Sequence, residues 1–167
     1  MTDYALITDS NDRHRTFVIV VAVLLVAVGA FQALATGGRL LITPWTMGEY
    51  VAAPYILHEI GSLAFMVAAV VIGFRLLNQH RSALREAIVL LWAYMLWIGI
   101  SVVVGLGAFL WSAVMMNSLD MEPLESVFDS GLAYTLFGTV SGIAYCVVLG
   151  WIAKRLSRPV VKHAYQQ

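Results

Sequence analysis

The chain has little of the chemistry on which redox proteins and nucleic-acid-binding proteins depend. Its single cysteine, Cys146, cannot form an internal disulfide or a CxxC pair, which excludes a four-helix thiol oxidase. Charged residues make up 12% of its 167 residues, about half the share found in an ordinary soluble domain. Ten basic and ten acidic side chains cancel to a formal net charge of zero, so no global field draws the chain to nucleic acid.

The sequence motifs of common enzymes are missing too. There is no phosphate-binding glycine loop, nucleophile elbow, pair of carboxylates within one apolar run or lipidation signal. His58 and Glu59 are followed by Ile60 and Gly61, so the second histidine of a zinc-protease motif is absent. We therefore predict that the protein is not an enzyme, and we predict no metal and no cofactor.

Apolar and aromatic residues are abundant, at 60% of the chain, and they are concentrated in four long runs. The predicted membrane spans are residues 16–36, 52–74, 87–113 and 131–153, with outer loops at 37–51 and 114–130. Each run is long enough to cross a hydrocarbon core of about 30 Å as a helix. Since period-2 alternation is absent, the prediction is an all-α integral membrane four-helix bundle, up-down-up-down, forming a single membrane domain over residues 1–167.

Basic residues set the predicted orientation, because Lys and Arg near the ends of spans stay on the cytoplasmic side. Nine of the ten lie before the first span, between the second and third, or after the fourth, and only Arg39 lies opposite. This predicts a multi-pass protein of the plasma membrane or bacterial inner membrane with both termini cytoplasmic. The sequence Ala33-Leu34-Ala35 resembles a signal-peptidase site, but its run is nearer the length of a span than of a signal core.

The two outer connections carry further local signals. Thr46 and Glu49 have the spacing of a capping box, which predicts a second helix that begins near Met47 and kinks at Pro54. Apolar residues at helical spacing after Pro123 predict a short helix lying on the outer membrane interface.

The candidate binding residues are His58 and Glu59, together with Glu49 in the first outer loop. Ionisable side chains inside an apolar run are expensive and usually face a protein interior or a cavity. His58 lies 17 residues before Arg75, about 25 Å along a helix, and so near the outer boundary of the hydrocarbon core. Two interpretations stay open: a polar site for a cation, a quinone or a proton, or two residues that reach headgroups and water.

Small residues mark the candidate helix-packing faces. Gly138 and Gly142 form a GxxxG pattern in the fourth span with Ser141 between them, and Gly105 belongs to a second small-residue run in the third span. Small side chains let membrane helices approach closely. This pattern predicts packing within the bundle or between two copies of the chain.

Three functions follow as hypotheses. The leading one is an accessory, scaffolding or assembly subunit of a larger membrane complex or homo-oligomer, with the lipid bilayer and another membrane protein or itself as partners, and no nucleic acid. The first alternative is a small oligomeric transporter or channel with a polar site at His58 and Glu59. The second is a quinone- or haem-binding redox subunit, although the other histidines lie on the opposite side from His58.

Overall fold

The computed structural model describes residues 2–47, 53–118 and 125–166, and the side chains at 12–42, 56–111, 114, 132, 133, 135–163 and 165. The described ranges are helical apart from short turns and contain no strand. The helices are α1 (Thr2–Met47), α2 (Ala53–Leu77), α3 (Ala83–Ser118), α4 (Glu125–Leu156) and α5 (Pro159–Gln166).

Four of these helices are long and apolar enough to cross a membrane. The stretches that meet this criterion are Asp12–Ile42, Ile56–Leu77, Ala83–Trp111 and Thr135–Leu156. They coincide in number and approximate position with the four predicted spans. The prediction of an all-helical, multi-pass membrane protein is therefore confirmed.

The first helix is longer than the sequence indicated. Residues 37–47, which we predicted as outer loop, continue α1 as helix to Met47. Gly37 and Gly38 cost about 1 kcal/mol each relative to alanine in a helix, but neither adopts a positive φ. Ending the helix within lipid would leave backbone groups without partners at a cost of several kcal/mol each, which favours continuation.

The boundaries around the two outer connections differ from the predictions as well. The second helix begins at Ala53 rather than near Met47, so Pro54 falls in its first turn, where its missing N–H is not needed. The predicted separate interfacial helix is instead the start of α4, which runs without interruption from Glu125. Residues 48–52 and 119–124, including Glu49, lie outside the described residues.

A tight turn joins α2 to α3. The amide of Gln79 donates to Leu76 O at 3.1 Å, and the amide of His80 donates to Arg75 O at 3.0 Å. This pair of bonds is the Schellman motif that commonly ends helices, in which the residue corresponding to Gln79 is left-handed. Gln79 has a φ of 54°, a conformation usually taken by glycine.

An ion pair spans the same turn. Arg75 Nη1 lies 2.8 Å from Glu86 Oε2, and Arg75 Nη2 donates to Ser82 Oγ at 3.0 Å. Arg75 is in the last turn of α2 and Glu86 in the first turn of α3, where each charge also interacts favourably with its own helix dipole. The pair therefore joins the end of α2 to the first turn of α3.

The short helix α5 is a feature that the sequence analysis did not predict. It begins at Pro159, a residue preorganised for a first helical position. It packs against α1, and its Val161 is fully buried. The Tyr165 hydroxyl lies 3.1 Å from His80 O and 3.4 Å from Leu76 O, so α5 also contacts the α2–α3 turn.

The contacts divide the chain into two compact units. The α1–α2 unit comprises Met1–Leu90 with Ile152–Gln167, and the α3–α4 unit comprises Leu91–Trp151. Among the described side chains, every buried hydrophobic residue except Leu91 belongs to the α1–α2 unit.

Helices α1 and α2 pack closely and antiparallel. A Cβ placed on Gly29 would lie 3.1 Å from Met66 O, and one on Gly73 would lie 3.0 Å from Ala22 O and 2.7 Å from Val26 Cγ2. At both contacts the neighbouring helix occupies the space that a side chain would otherwise fill. The two glycines therefore let the backbones approach closely at these crossings.

Candidate functional site

The polar site of the α1–α2 unit is formed by Thr36 and Arg39 on α1 and Glu59 on α2. Thr36 and Glu59 are the buried polar residues among the described side chains. Because α1 remains helical through this region, Thr36 and Arg39 are three residues apart and lie on the same face. The close packing of α1 and α2 then brings that face against Glu59.

The geometry is that of an ion pair with one buried partner. Arg39 Nη2 lies 3.5 Å from Glu59 Oε2 and also donates to Thr36 Oγ1 at 3.2 Å. The Glu59 side chain is 7% exposed whereas that of Arg39 is 60% exposed. The carboxylate is thus held inside, and the guanidinium lies over it with part of its donor edge turned outward.

The arrangement of Arg39 and Glu59 suits hydrogen bonding and an anionic ligand better than a divalent cation. Glu59 Oε2 is buried and accepts no hydrogen bond from the described residues, so it retains an unused acceptor position. Arg39 cannot be deprotonated and can donate several hydrogen bonds at once, so its outward edge suits an anionic oxygen. One carboxylate beside a guanidinium does not suit Ca²⁺ or Mg²⁺, which need several oxygen ligands.

His58 and Glu59, the adjacent candidate residues from the sequence, differ in their exposure. Glu59 is buried, whereas His58 is exposed. Adjacent residues on a helix point about 100° apart, so the structure separates them as that geometry requires. His58 thus differs from Glu59 in burial, and Glu49 lies outside the described residues.

The described side chains contain no group of three or more His, Cys, Asp or Glu residues that could hold a metal ion. His14 and His80 belong to the same unit as His58 but to the other end of the α1–α2 pair, near the α2–α3 turn.

The predicted packing glycines have different surroundings. In the α3–α4 unit a Cβ on Gly142 would lie 2.7 Å from Val102 Cγ2, so α3 approaches α4 closely there. A Cβ on Gly138 or Gly105 would have no neighbour within 4 Å. Ser141 is partly buried. Gly142 therefore packs within the hairpin, while Gly105 and Gly138 present open space.

A shallow groove follows the α3–α4 contact. It has a volume of about 290 Å³ and is lined by Gly99, Val102, Gly142, Ile143, Cys146 and Val147. The thiol of Cys146 lies 3.6 Å from Met95 O, which satisfies the one polar group in that lining. The groove lacks the convergent polar groups that orient a small-molecule ligand.

Sequence reasoning missed the partner of Glu59. Arg39 stood out as the one basic residue on the outer side, but the predicted loop at 37–51 separated it from the first span. A usable signal was present, since an isolated Arg near one span and an isolated Glu near the same end of the next can pair. The close glycines 29 and 73 were also missed, although Ala69 and Gly73 have the spacing of a small-residue motif.

No protein-family model, curated protein or solved structure matches this chain.

Proposed function

We propose that the protein is an accessory or assembly subunit of a membrane complex or homo-oligomer, and that the α3–α4 unit supplies the surface that its partner contacts. In this proposal the four long helices form an up-down-up-down bundle in the cell membrane with both termini in the cytoplasm. The nine basic residues at one end of the spans support that orientation.

The observation that carries the proposal is a set of four glycines in the hairpin that have open space beside them. A Cβ on Gly99, Gly105, Gly107 or Gly138 would have no neighbour within 4 Å. Glycine costs about 1 kcal/mol relative to alanine in a helix interior, and among the described residues no close helix contact offsets that cost at these positions. A partner helix that needs close backbone approach would offset it.

The matched test adds bulk at two of these glycines. Gly105→Leu and Gly138→Leu place a side chain where a Cβ would meet no described neighbour, and they prevent a partner helix from approaching closely. Val103→Leu, at an exposed apolar position of α3, is the control. We expect the native complex, sized in mild detergent, to be lost in both glycine variants and kept in the control.

A second measurement, energy transfer, decides whether the partner is another copy of the chain or a different subunit. Energy transfer between two labelled copies in vesicles reports a homo-oligomer, whereas a larger complex without such transfer reports a different subunit. A monodisperse monomer from the native membrane, or complexes that survive both leucine variants, would contradict the proposed function.

A transporter or channel is the second candidate, favoured by one observation. Glu59 is an ionisable group buried between two membrane helices with a charged partner, and such groups commonly mark ion or proton pathways. Flux into liposomes containing the purified protein tests it with Glu59→Gln against His58→Ala. Proton flux that is lost only in Glu59→Gln would favour transport, and no flux in the unaltered protein would remove it.

A further inference from the structure

A group of exposed basic side chains surrounds one end of the α1–α2 unit, at the α2–α3 turn and the α4–α5 junction. Its described and exposed members, called here the basic collar, are Arg13, Arg15, Arg81, Arg85, Lys154, Arg158 and Lys162. They come from four helices and two turns, and all belong to the same compact unit. The fold therefore gathers charges that are far apart in the chain.

Acidic side chains do little to neutralise the collar. Glu86 is already paired with Arg75 at 2.8 Å, and Asp12 is the only exposed carboxylate among the side chains described at this end. Asp3 and Asp9 lie earlier in α1, outside the described side chains. The end of the unit as a whole carries nine basic residues against four acidic ones.

The collar lies at the ends of the candidate membrane spans. Lys154 is within the last turn of the span that ends at Leu156, and Arg158 follows two residues later. Arg85 is in the first turn of the span that begins at Ala83. At helical rise these charges stand within several Å of the span ends, which is the depth of phospholipid phosphates.

Two contacts hold α5 in place among these charges. Burial of Val161 and the approach of the Tyr165 hydroxyl to His80 O attach the helix to its own unit. Arg155 lies with its guanidinium carbon 4.2 Å from the centre of the Phe17 ring, which fixes the end of α4 against α1. Lys162 is thus presented from an anchored helix, and Arg158 immediately precedes it.

We propose that the basic collar binds the phosphate headgroups of anionic phospholipids. The main donors are Arg158 at the α4–α5 junction, Lys162 of α5, Arg81 of the α2–α3 turn and Arg85 at the start of α3. Charge and depth select this occupant: the collar is cationic, exposed and level with the headgroup layer. Guanidinium groups form bidentate hydrogen bonds to phosphate oxygens, which adds geometric selectivity to the charge. The proposal does not depend on the assignment of the α3–α4 unit to a partner.

The experiment measures lipid binding to the full chain in a neutral detergent. Native mass spectrometry with phosphatidylglycerol and with phosphatidylcholine compares an anionic with a zwitterionic headgroup. We expect tighter binding of phosphatidylglycerol, weakened about fivefold for each basic residue removed. The double variants Arg158→Gln with Lys162→Gln and Arg81→Gln with Arg85→Gln should therefore each lose on the order of twentyfold.

A charge-conserving variant serves as the control. Arg158→Lys with Lys162→Arg should keep most of the preference for phosphatidylglycerol and lower only the part that depends on guanidinium geometry. High salt should weaken binding to the unaltered protein, since exposed charges are screened. Equal affinity for the two lipids, or an unchanged affinity when all four residues are glutamine, would overturn the proposal.

Discussion

The two compact units use similar apolar helices in different ways. In the α1–α2 unit, 22% of the candidate span window of each of α1 and α2 is buried, whereas the corresponding shares for α3 and α4 are 11% and 6%. Gly29 and Gly73 contact the opposite helix closely, while Gly99, Gly105, Gly107 and Gly138 face open space. The difference shows that placement of small residues, more than apolar content, decides which membrane helices pack within the chain.

The α1–α2 unit also contains ion pairs between its helices. The α1–α2 unit contains the Arg39–Glu59 and Arg75–Glu86 pairs, one near each end of its helix pair. In lipid there is no hydrophobic driving force between helices, so close packing and polar contacts must supply the association. The α1–α2 unit therefore has its own means of association.

Adding one methyl group at matched glycines is the strongest test of this difference in packing between the two units. Gly73→Ala would place a Cβ 2.7 Å from Val26 Cγ2 and 3.0 Å from Ala22 O. We expect it to lower the free energy of unfolding by about 1–3 kcal/mol, because overpacking forces the helices apart. Gly105→Ala has open space and should be neutral or stabilising by up to about 1 kcal/mol.

Thermal unfolding of the purified chain in mild detergent measures both variants. Gly142→Ala is an internal reference, because a Cβ there would lie 2.7 Å from Val102 Cγ2 within the hairpin. Only a flexible side-chain end is displaced at that position, so its effect should fall between the other two. Equal loss of stability in Gly73→Ala and Gly105→Ala would contradict the distinction between the units.

The sequence predicted the helices well and their packed faces poorly, for a physical reason. Apolar runs of span length identify membrane helices because lipid requires them. A helix that is apolar on all sides has no hydrophobic periodicity to show which face packs. The packed face was therefore predicted from the GxxxG pattern at Gly138 and Gly142, and Gly29 and Gly73 were missed. Burial of Glu59 against Arg39 depends on where α1 ends, and Gly37 and Gly38 made that end hard to place.

The next prediction separates the roles of the two charges in the Arg39–Glu59 pair. Arg39→Gln leaves the buried Glu59 carboxylate without its cation, and we expect a loss of about 2 kcal/mol. Glu59→Gln leaves the guanidinium in a largely exposed position where solvent screens it, and we expect a loss of about 1 kcal/mol or less. The measurement is thermal unfolding in the same detergent, completed with the double variant.

In the double variant the buried charge is gone. It should therefore be more stable than Arg39→Gln alone. If Glu59→Gln proves the more damaging single change, the carboxylate does more than balance Arg39, and the pair is not merely a contact that holds α1 to α2.

A smaller effect is expected where α5 meets the α2–α3 turn. Tyr165→Phe removes the hydroxyl that contacts His80 O at 3.1 Å, and we expect the docking of α5 to weaken by about 1 kcal/mol. Amide hydrogen exchange in residues 160–166 should become faster while exchange in the middle of α2 stays unchanged. Tyr145→Phe, an exposed position of the α3–α4 unit, is the matched control and should leave α5 unaffected.

The same contact has a predictable pH dependence. Burial raises the pKa of the Tyr165 hydroxyl above its ordinary value of 10.0, and the negative charge of Glu86 raises it further. The docked state holds its proton more tightly than the free state, so docking is complete below pH 10 and weakens as pH rises beyond it. Phenylalanine at this position should remove that dependence, and an unchanged alkaline loss in Tyr165→Phe would show that another group is responsible.

The smallest effect is expected at the turn residue Gln79, where even the well-packed unit retains local strain. Its φ of 54° suits glycine better than a residue with a Cβ. Gln79→Gly should therefore raise the free energy of unfolding by about 0.5–1 kcal/mol. Asn78→Gly, one residue earlier and without a positive φ, should instead be neutral or destabilising. Opposite signs at neighbouring positions would show that the backbone conformation at Gln79, rather than general flexibility of the turn, limits the stability of this end of the α1–α2 unit.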